Sequence, residues 1–180
     1  MKLDKNSVYL KPITIKHISQ GWLNWVKNKK NYRTLNTDTK NFNKQRLIKY
    51  INNLKTNKSI MYAVYDSNKK KYFGNLKLNN MDYEHKTCSY GRMIGEDDYK
   101  NKGYGRIMLY KICELAFKKY KFNKIYTYVY TDNNNSILSN KKFGMKIEGK
   151  LKSHFIKNKK KKDVFLFSML KEEFLKKKFK

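Results

Sequence analysis

Residues 86–130 constrain this chain more than any other stretch, because they demand a crossover connection. A half-apolar strand pattern runs from Lys86 to Ile94. A helical pattern follows from Arg106 to Lys119, with Met108, Leu109, Ile112, Leu115 and Ala116 on one face. Lys124–Tyr130 (KIYTYVY) is then rich in β-branched and aromatic residues and predicts a second strand. Two strands joined through a helix pair in parallel, whereas hairpins pair antiparallel. The first strand and the helix are joined through Lys100-Asn101-Lys102-Gly103-Tyr104-Gly105-Arg106. Two glycines at this junction permit a tight turn and a close backbone approach to a ligand. The unpaired N–H groups and positive dipole end of the helix then favour a phosphate guest. An ordinary glycine turn fits the same residues, and the stretch alone does not choose between the two.

The remaining elements predict a mixed α/β sheet. Val8–Ile15 alternates like a strand, and Pro12 places it at an edge or bulge. His17–Lys27 carries Ile18, Trp22, Trp25 and Val26 at helical spacing, with His17 as a helix-start residue. Residues 28–42 read as a polar loop. Asn43 then caps a helix whose buried face is Leu47, Ile48, Ile51 and Leu54 and which ends near Asn57. Ile60–Asp66 and Lys71–Leu78 form a hairpin about Ser67–Lys70, and Gly74 suggests a bulge or close backbone contact. A loop at Asn79–Glu84 leads to the 85–95 strand, where Gly91 and Gly95 suggest distortion. Ser136–Lys142 is a short helix stopped by Gly144. Met145–Ile156 and Val164–Leu170 are strands around a lysine-rich turn, Lys157–Lys162, and a basic tail closes the chain. The order β, α, α, β, β, β, α, β, α, β, β has seven strands and only one connection that needs parallel pairing.

Composition narrows the function. With 180 residues the chain is expected to form one domain with a sizeable core. No apolar run approaches the ~18 residues of a membrane span. The start of the sequence lacks an apolar signal core, so a cytoplasmic protein is expected. Cys88 and Cys113 lie 25 apart without metal-ligand neighbours and read as buried thiols, with no metal site expected. The formal net charge of +29 resembles a nucleic-acid signature, but only Arg33, Arg46, Arg92 and Arg106 among the 43 basic residues are arginine. Lysine accompanied by abundant Asn, Tyr, Ile and Phe follows AT-rich codons. No specific nucleic-acid partner is therefore expected. The field still attracts polyanions and repels cations.

Four pieces of the chain, spanning roughly 8–172, resemble the GNAT superfamily of N-acetyltransferases. VYLKPITIKHISQGWLNW is similar to the opening of the branch that holds ribosomal-protein alanine and amino-sugar acetyltransferases. SYGRMIGEDDYKNKGYG resembles the splayed strand and the pyrophosphate loop Gln/Arg-x-x-Gly-x-Gly/Ala, with Lys100 in the first slot. KIYTYVYTDNNNSILSNKKFGM resembles Val-x-x-x-Asn-x-x-Ser/Ala-Ile followed by Lys-x-Gly-Phe. Val129, Asn133, Ser136, Ile137, Lys142 and Gly144 fill those positions, and Met145 stands where Phe is usual. EGKLKSHF and KDVFLFSML are similar to the closing hairpin.

The resemblance implies a single domain over 1–180 with the GNAT fold, splayed between the fourth and fifth strands, and acetyl-CoA as donor. The backbone of Lys102–Gly105 would hold the pyrophosphate, with Asn101 inside the loop and charge from Lys100, Lys102 and Arg106; solvated lysines fit equally well. Met93-Ile94 would pair with the pantetheine arm and polarise the thioester carbonyl. Asn133 would bond that arm or form the turn, Ser136 would cap a helix or touch the cofactor, and Lys142 belongs to the same motif. Two slots depart from the family: Tyr128 stands where a Glu base is common and Asn140 where a Tyr acid is common. Tyr128 is the best-placed catalytic candidate, with a stacking role as its alternative, and Ser89, His154 and Glu96 follow. The expected function is acetylation of a small primary amine, chiefly a nucleotide-linked amino sugar, given the positive field. Alternatives are acetylation of a ribosomal protein N-terminus, or a non-catalytic module binding CoA or nucleic acid. A homodimer is possible in such a family.

Overall fold

The structure is a computed structural model that describes residues 3–28, 31 and 41–177. The predicted loop at 28–42 lies mostly outside these residues, as does the end of the basic tail. Seven strands form one sheet: β1 (Val8–Pro12), β2 (Ile60–Asp66), β3 (Tyr72–Asp82), β4 (Thr87–Ile94), β5 (Lys124–Tyr130), β6 (Lys146–Lys157) and β7 (Lys160–Leu170). Their spatial order is β1-β2-β3-β4-β5-β7-β6. Only β4 and β5 pair in parallel, as the crossover requires. Pro12 lies on the edge strand, where its missing N–H costs no ladder bond.

Among the described residues the sheet is flanked by helices α1 (Gln20–Lys27), α2 (Lys44–Asn52), α3 (Tyr104–Glu114), α4 (Asn134–Phe143) and α5 (Lys171–Leu175). The cap at Asn43 is as expected, its side chain accepting from the Arg46 N–H at 2.9 Å. α2 ends at Asn52 rather than near Asn57, and α1 begins at Gln20 because Ser19 caps it. His17 sits in a short 3-10 turn and bonds back to Thr14. α3 starts at Tyr104, two residues earlier than predicted. It continues into a wider π turn over Leu115–Lys119, closed by the Tyr120 N–H to Leu115 at 2.9 Å.

Other strand ends differ from the sequence reading for local reasons. β3 runs on to Asp82 because its partner β4 follows it across most of the expected loop. The β6–β7 turn is only Asn158–Lys159, both left-handed at φ 51° and 61°, as two-residue hairpins require. On one sheet face α3 and α4 cover Phe73, Leu76, Leu78, Tyr90 and Ile125. On the other, α1 and α2 bring Trp22, Trp25 and Leu47 onto Met61 and Ala63. Leu47 is fully buried and contributes roughly 1.5–3 kcal/mol. No helix among the described residues is long and apolar enough to cross a membrane.

Gly74 is the close approach that the sequence suggested: a Cβ there would lie 2.3 Å from the Met93 carbonyl oxygen. The neighbour is backbone and cannot swing away. Gly74→Ala is expected to destabilise the fold by about 1–3 kcal/mol, measured by urea unfolding.

Candidate functional site

The site begins where β4 and β5 part. They are paired from Thr87–Ser89 against Lys124–Tyr126 and no further. The Thr127 hydroxyl donates to the Tyr90 carbonyl at 3.0 Å and marks the fork. Each strand keeps its outer neighbour, β3 for β4 and β7 for β5, so the inner edges stay extended and apart. The Gly95 N–H bonds to the Phe73 carbonyl. Antiparallel alternation then directs the Met93 and Gly91 amides to β3 and those of Ile94 and Arg92 into the fork. Of the expected pair Met93-Ile94, only Ile94 therefore offers its N–H to a guest, while Met93 lines the cavity.

Beside the fork lies the glycine loop. Asn101 and Gly103 are left-handed at φ 59° and 89°, which turns the chain into α3. The N–H groups of Arg106 and Ile107 return to the Gly103 carbonyl. The amides of residues 101–105 make no hydrogen bond among the described residues. Successive unpaired N–H groups at a helix start make an anion-binding concavity. Arg92 reinforces the loop from below, its Nη1 donating to the Gly105 carbonyl at 2.6 Å. Burial draws this guanidinium down from its ordinary pKa. A Cβ on Gly105 would stand 3.0 Å from that Nη1.

Two loop side chains have other duties than those expected. The Lys100 Nζ is held by Asp97 at 2.6 Å and Asn31 at 2.9 Å, so its charge is already paired. The Tyr104 ring turns inward against Phe73 and Tyr99, and its hydroxyl donates to Asp66 at 2.9 Å. Tyr104 thus presents only its backbone to a ligand. Lys102 and Arg106 are exposed at the loop, and Lys142 is exposed in the last turn of α4, away from the cavity lining.

The fork opens into a cavity of about 480 Å³. On the α3–α4 side it is lined by Tyr90, Arg92, Thr127, Asn133, Ser136 and Asn140. Asn133, not Ser136, caps α4: its Oδ1 accepts from the Ser136 N–H at 3.3 Å. Asn140 is buried and accepts from the Tyr90 hydroxyl at 2.8 Å. An amide in that slot has no acidic proton to give. On the other side, Tyr128 forms a ring wall with His154 at 4.8 Å and Phe155 at 5.9 Å. A register shift between Leu151 and Phe155 carries His154 to this place. Burial, and then Tyr126, raise the Tyr128 pKa, so the phenol is neutral near pH 7: a proton donor and a poor base.

Ser89 lines the cavity floor and bonds to Asn79. Glu96 is not in the lining. It accepts from the Trp25 indole at 2.8 Å and pairs with Lys71. Lys71 first, with Trp25 after burial, holds its carboxyl below the usual range. Glu96 is therefore a structural anchor and not a base. The sequence reading passed over Arg92 as a site residue, along with Asn75, Lys77 and Tyr50. The strand alternation that singles out Asn75 and Lys77 also fits a solvent face, and only the packing of α2 shows that the face is covered.

Comparison with known proteins places this geometry. The sequence profile described as "Acetyltransferase (GNAT) domain" matches residues 7–146. No curated protein matches. Among solved structures, a chimera of the Vibrio cholerae spermidine N-acetyltransferase SpeG and hSSAT superposes with a TM-score of 0.81 at 19% identity, covering 94% of this chain and 99% of that one. The Vibrio cholerae spermidine N-acetyltransferase in complex with CoA and spermine gives 0.78 at 21% identity, covering 94% and 98%. A dodecameric structure of the Vibrio cholerae enzyme gives 0.74 at 20%, covering 94% and 97%. At these identities the likeness is one of fold.

Asp66 ties the loop to the β2–β3 turn. Burial alone would raise its pKa, but the N–H groups of Lys69 and Asn68 and the Tyr104 hydroxyl outweigh that and lower it. A carboxyl whose folded pKa is depressed stabilises the fold above its unfolded pKa and loses that contribution as pH falls through the folded one. Asp66→Asn is expected to lower stability at pH 7 by about 1–3 kcal/mol. It also flattens part of the wild-type loss below pH of about 4, as read from denaturant unfolding across pH.

Proposed function

The chain belongs to the GNAT acetyltransferase family, and from that footing we propose that its acceptor is the primary amine of a small anionic molecule, a nucleotide-linked amino sugar. The enzyme is an acetyl-CoA-dependent N-acetyltransferase. Its acetyl donor is a polyanion, and the donors found here fit it: open amides at residues 101–105, with Lys102 and Arg106 beside them. The inner edge of β4 at Arg92 and Ile94 would take the extended pantetheine arm as an added strand. The Ile94 N–H is placed to stabilise the oxyanion of the tetrahedral intermediate.

The acceptor nitrogen attacks the thioester carbon, the C–N bond forms, and the C–S bond breaks. The amine proton leaves to water or to His154 at the cavity wall. The departing sulfur leaves as a thiolate, a fair leaving group, and the neutral Tyr128 phenol is a donor at hand to protonate it. This accounts for a site that works without the Glu and Tyr common in the family.

One observation carries the acceptor class. Among the described residues, no Asp or Glu lines the cavity, whereas Lys77 lines its acceptor side and Arg92 its donor side. A polyamine needs carboxylates, and a lining with a lysine and without carboxylates disfavours it. The Vibrio cholerae neighbours are named for spermidine, so the shared fold and the lining point to different acceptors. Asparagine side chains at 79 and 80 suit sugar hydroxyls, and the rings of Tyr128 and Phe155 suit a flat sugar face.

The deciding assay is labelled acetyl-CoA with a UDP-linked amino sugar, spermidine, and ribosomal proteins in parallel. Label in the sugar supports the reading; label in spermidine or in a ribosomal N-terminus overturns it. Tight CoA binding with no transfer to any amine makes the chain a binding module. Gly103→Val or Gly105→Val is expected to weaken acetyl-CoA binding at least about tenfold by calorimetry with circular dichroism unchanged, since the first strains a left-handed position and the second drives a side chain into Arg92. Tyr128→Phe is expected to cost less than about tenfold in kcat, and a thousandfold loss would make the hydroxyl catalytic.

A further inference from the structure

Acetyl transfer leaves one feature of the cavity unused, a half-buried lysine that faces no carboxylate among the described residues. Lys77 stands on β3 between Asn75 and Asn79, on the sheet face covered by α1 and α2. Its Nζ lies 4.8 Å from the centre of the Tyr50 ring. It has no hydrogen bond or ion pair among the described residues. Burial draws its pKa down to about 8, so it remains mostly charged near pH 7. Leaving an ammonium here is costly unless something compensates it.

A second group nearby is also unspent. Asn75 is 3% exposed and lines the cavity. Its Oδ1 accepts from the Tyr72 hydroxyl at 2.7 Å, while its buried Nδ2 has no partner among the described residues. A buried N–H left unpaired costs about 1–3 kcal/mol. One strand therefore carries, two residues apart on one face, a cation and an amide donor that lack acceptors. Asn80, at the same wall, reaches the Ser89 hydroxyl only at 3.4 Å.

We propose that Lys77 and the Asn75 amide receive a phosphate group of the acceptor, and that this subsite selects the substrate. A lysine is a compact point charge and suits a tetrahedral oxyanion, whereas a planar carboxylate calls for the fork of an arginine. The Tyr50 ring lies against the ammonium at 4.8 Å and favours its charged form at the cavity wall. The same charge turns polycations away. The inference rests on the acetyl-transfer reading above for the amine, and adds to it the group that recognises the rest of the molecule.

The test measures binding, so that it does not depend on turnover. The CoA-loaded full chain is titrated by calorimetry with glucosamine, glucosamine-1-phosphate and UDP-glucosamine. The wild type is expected to bind the two phosphates about ten- to a hundredfold more tightly than glucosamine. Lys77→Met brings that ratio near one, with CoA affinity and circular dichroism unchanged, and Lys77→Arg keeps most of it. Tighter binding of UDP-glucosamine than of the monophosphate identifies a nucleotide-linked source; equal binding identifies a free sugar phosphate, and either supports the subsite. A wild type without preference, or a preference that survives Lys77→Met, overturns it. A preserved preference with no acetyl transfer to any amine would instead sink the enzymatic reading alone.

Discussion

The rest of this structure depends on the parting of β4 from β5. Two parallel strands that share three paired residues and then diverge leave two rows of backbone groups without protein partners. Such edges are normally paired or solvated, because an unsatisfied buried N–H or C=O is costly. Here the outer ladders hold the fork open, β3 on one side and β7 on the other, and the Thr127–Tyr90 bond fixes its apex. Both edges are thus held extended by their outer neighbours.

The candidate site is arranged around that opening. Alternation along β4 sends Tyr90, Arg92 and Ile94 toward α3 and α4, and Ser89, Gly91 and Met93 toward α1 and α2. The first side meets the glycine loop, with its open helix-start amides and Arg92 beneath the Gly105 carbonyl. The second meets a floor of asparagines and Lys77 under an aromatic roof. In the proposed reading one strand would separate the donor side from the acceptor side, with the gap between them as the meeting point. The loop is itself fastened by groups remote from any ligand. Asp66 reaches across from a hairpin turn to hold Tyr104, and Glu96 binds Trp25 and Lys71 just after the strand.

Electrostatics sharpen the division of labour. A formal charge of +29 draws in polyanions without regard to identity. Selectivity has to come from the few charges placed inside. Among the described residues these are Lys77 and Arg92, since Lys100 is neutralised by Asp97 and no carboxylate lines the cavity.

The sequence by itself determined the elements and the donor. β5, the glycine loop and the helix after it were legible because β-branched runs, left-handed turns and helical periodicity are local properties of a few neighbouring residues. The seven strands and their single parallel pair followed from counting connections, whereas the place of β7 between β5 and β6 did not. What the sequence left open was decided by partners distant along the chain. Alternation placed Asn75 and Lys77 on a common face, but whether that face met water or α2 is a matter of packing. Tyr104 looked like part of a ligand loop until Asp66, 38 residues away, took its hydroxyl. Arg92 looked like one cation among 43 until the fold set it under the Gly105 carbonyl. Periodicity states which way a side chain points; only the tertiary structure supplies what it meets there, and that contact fixes its charge state and its role.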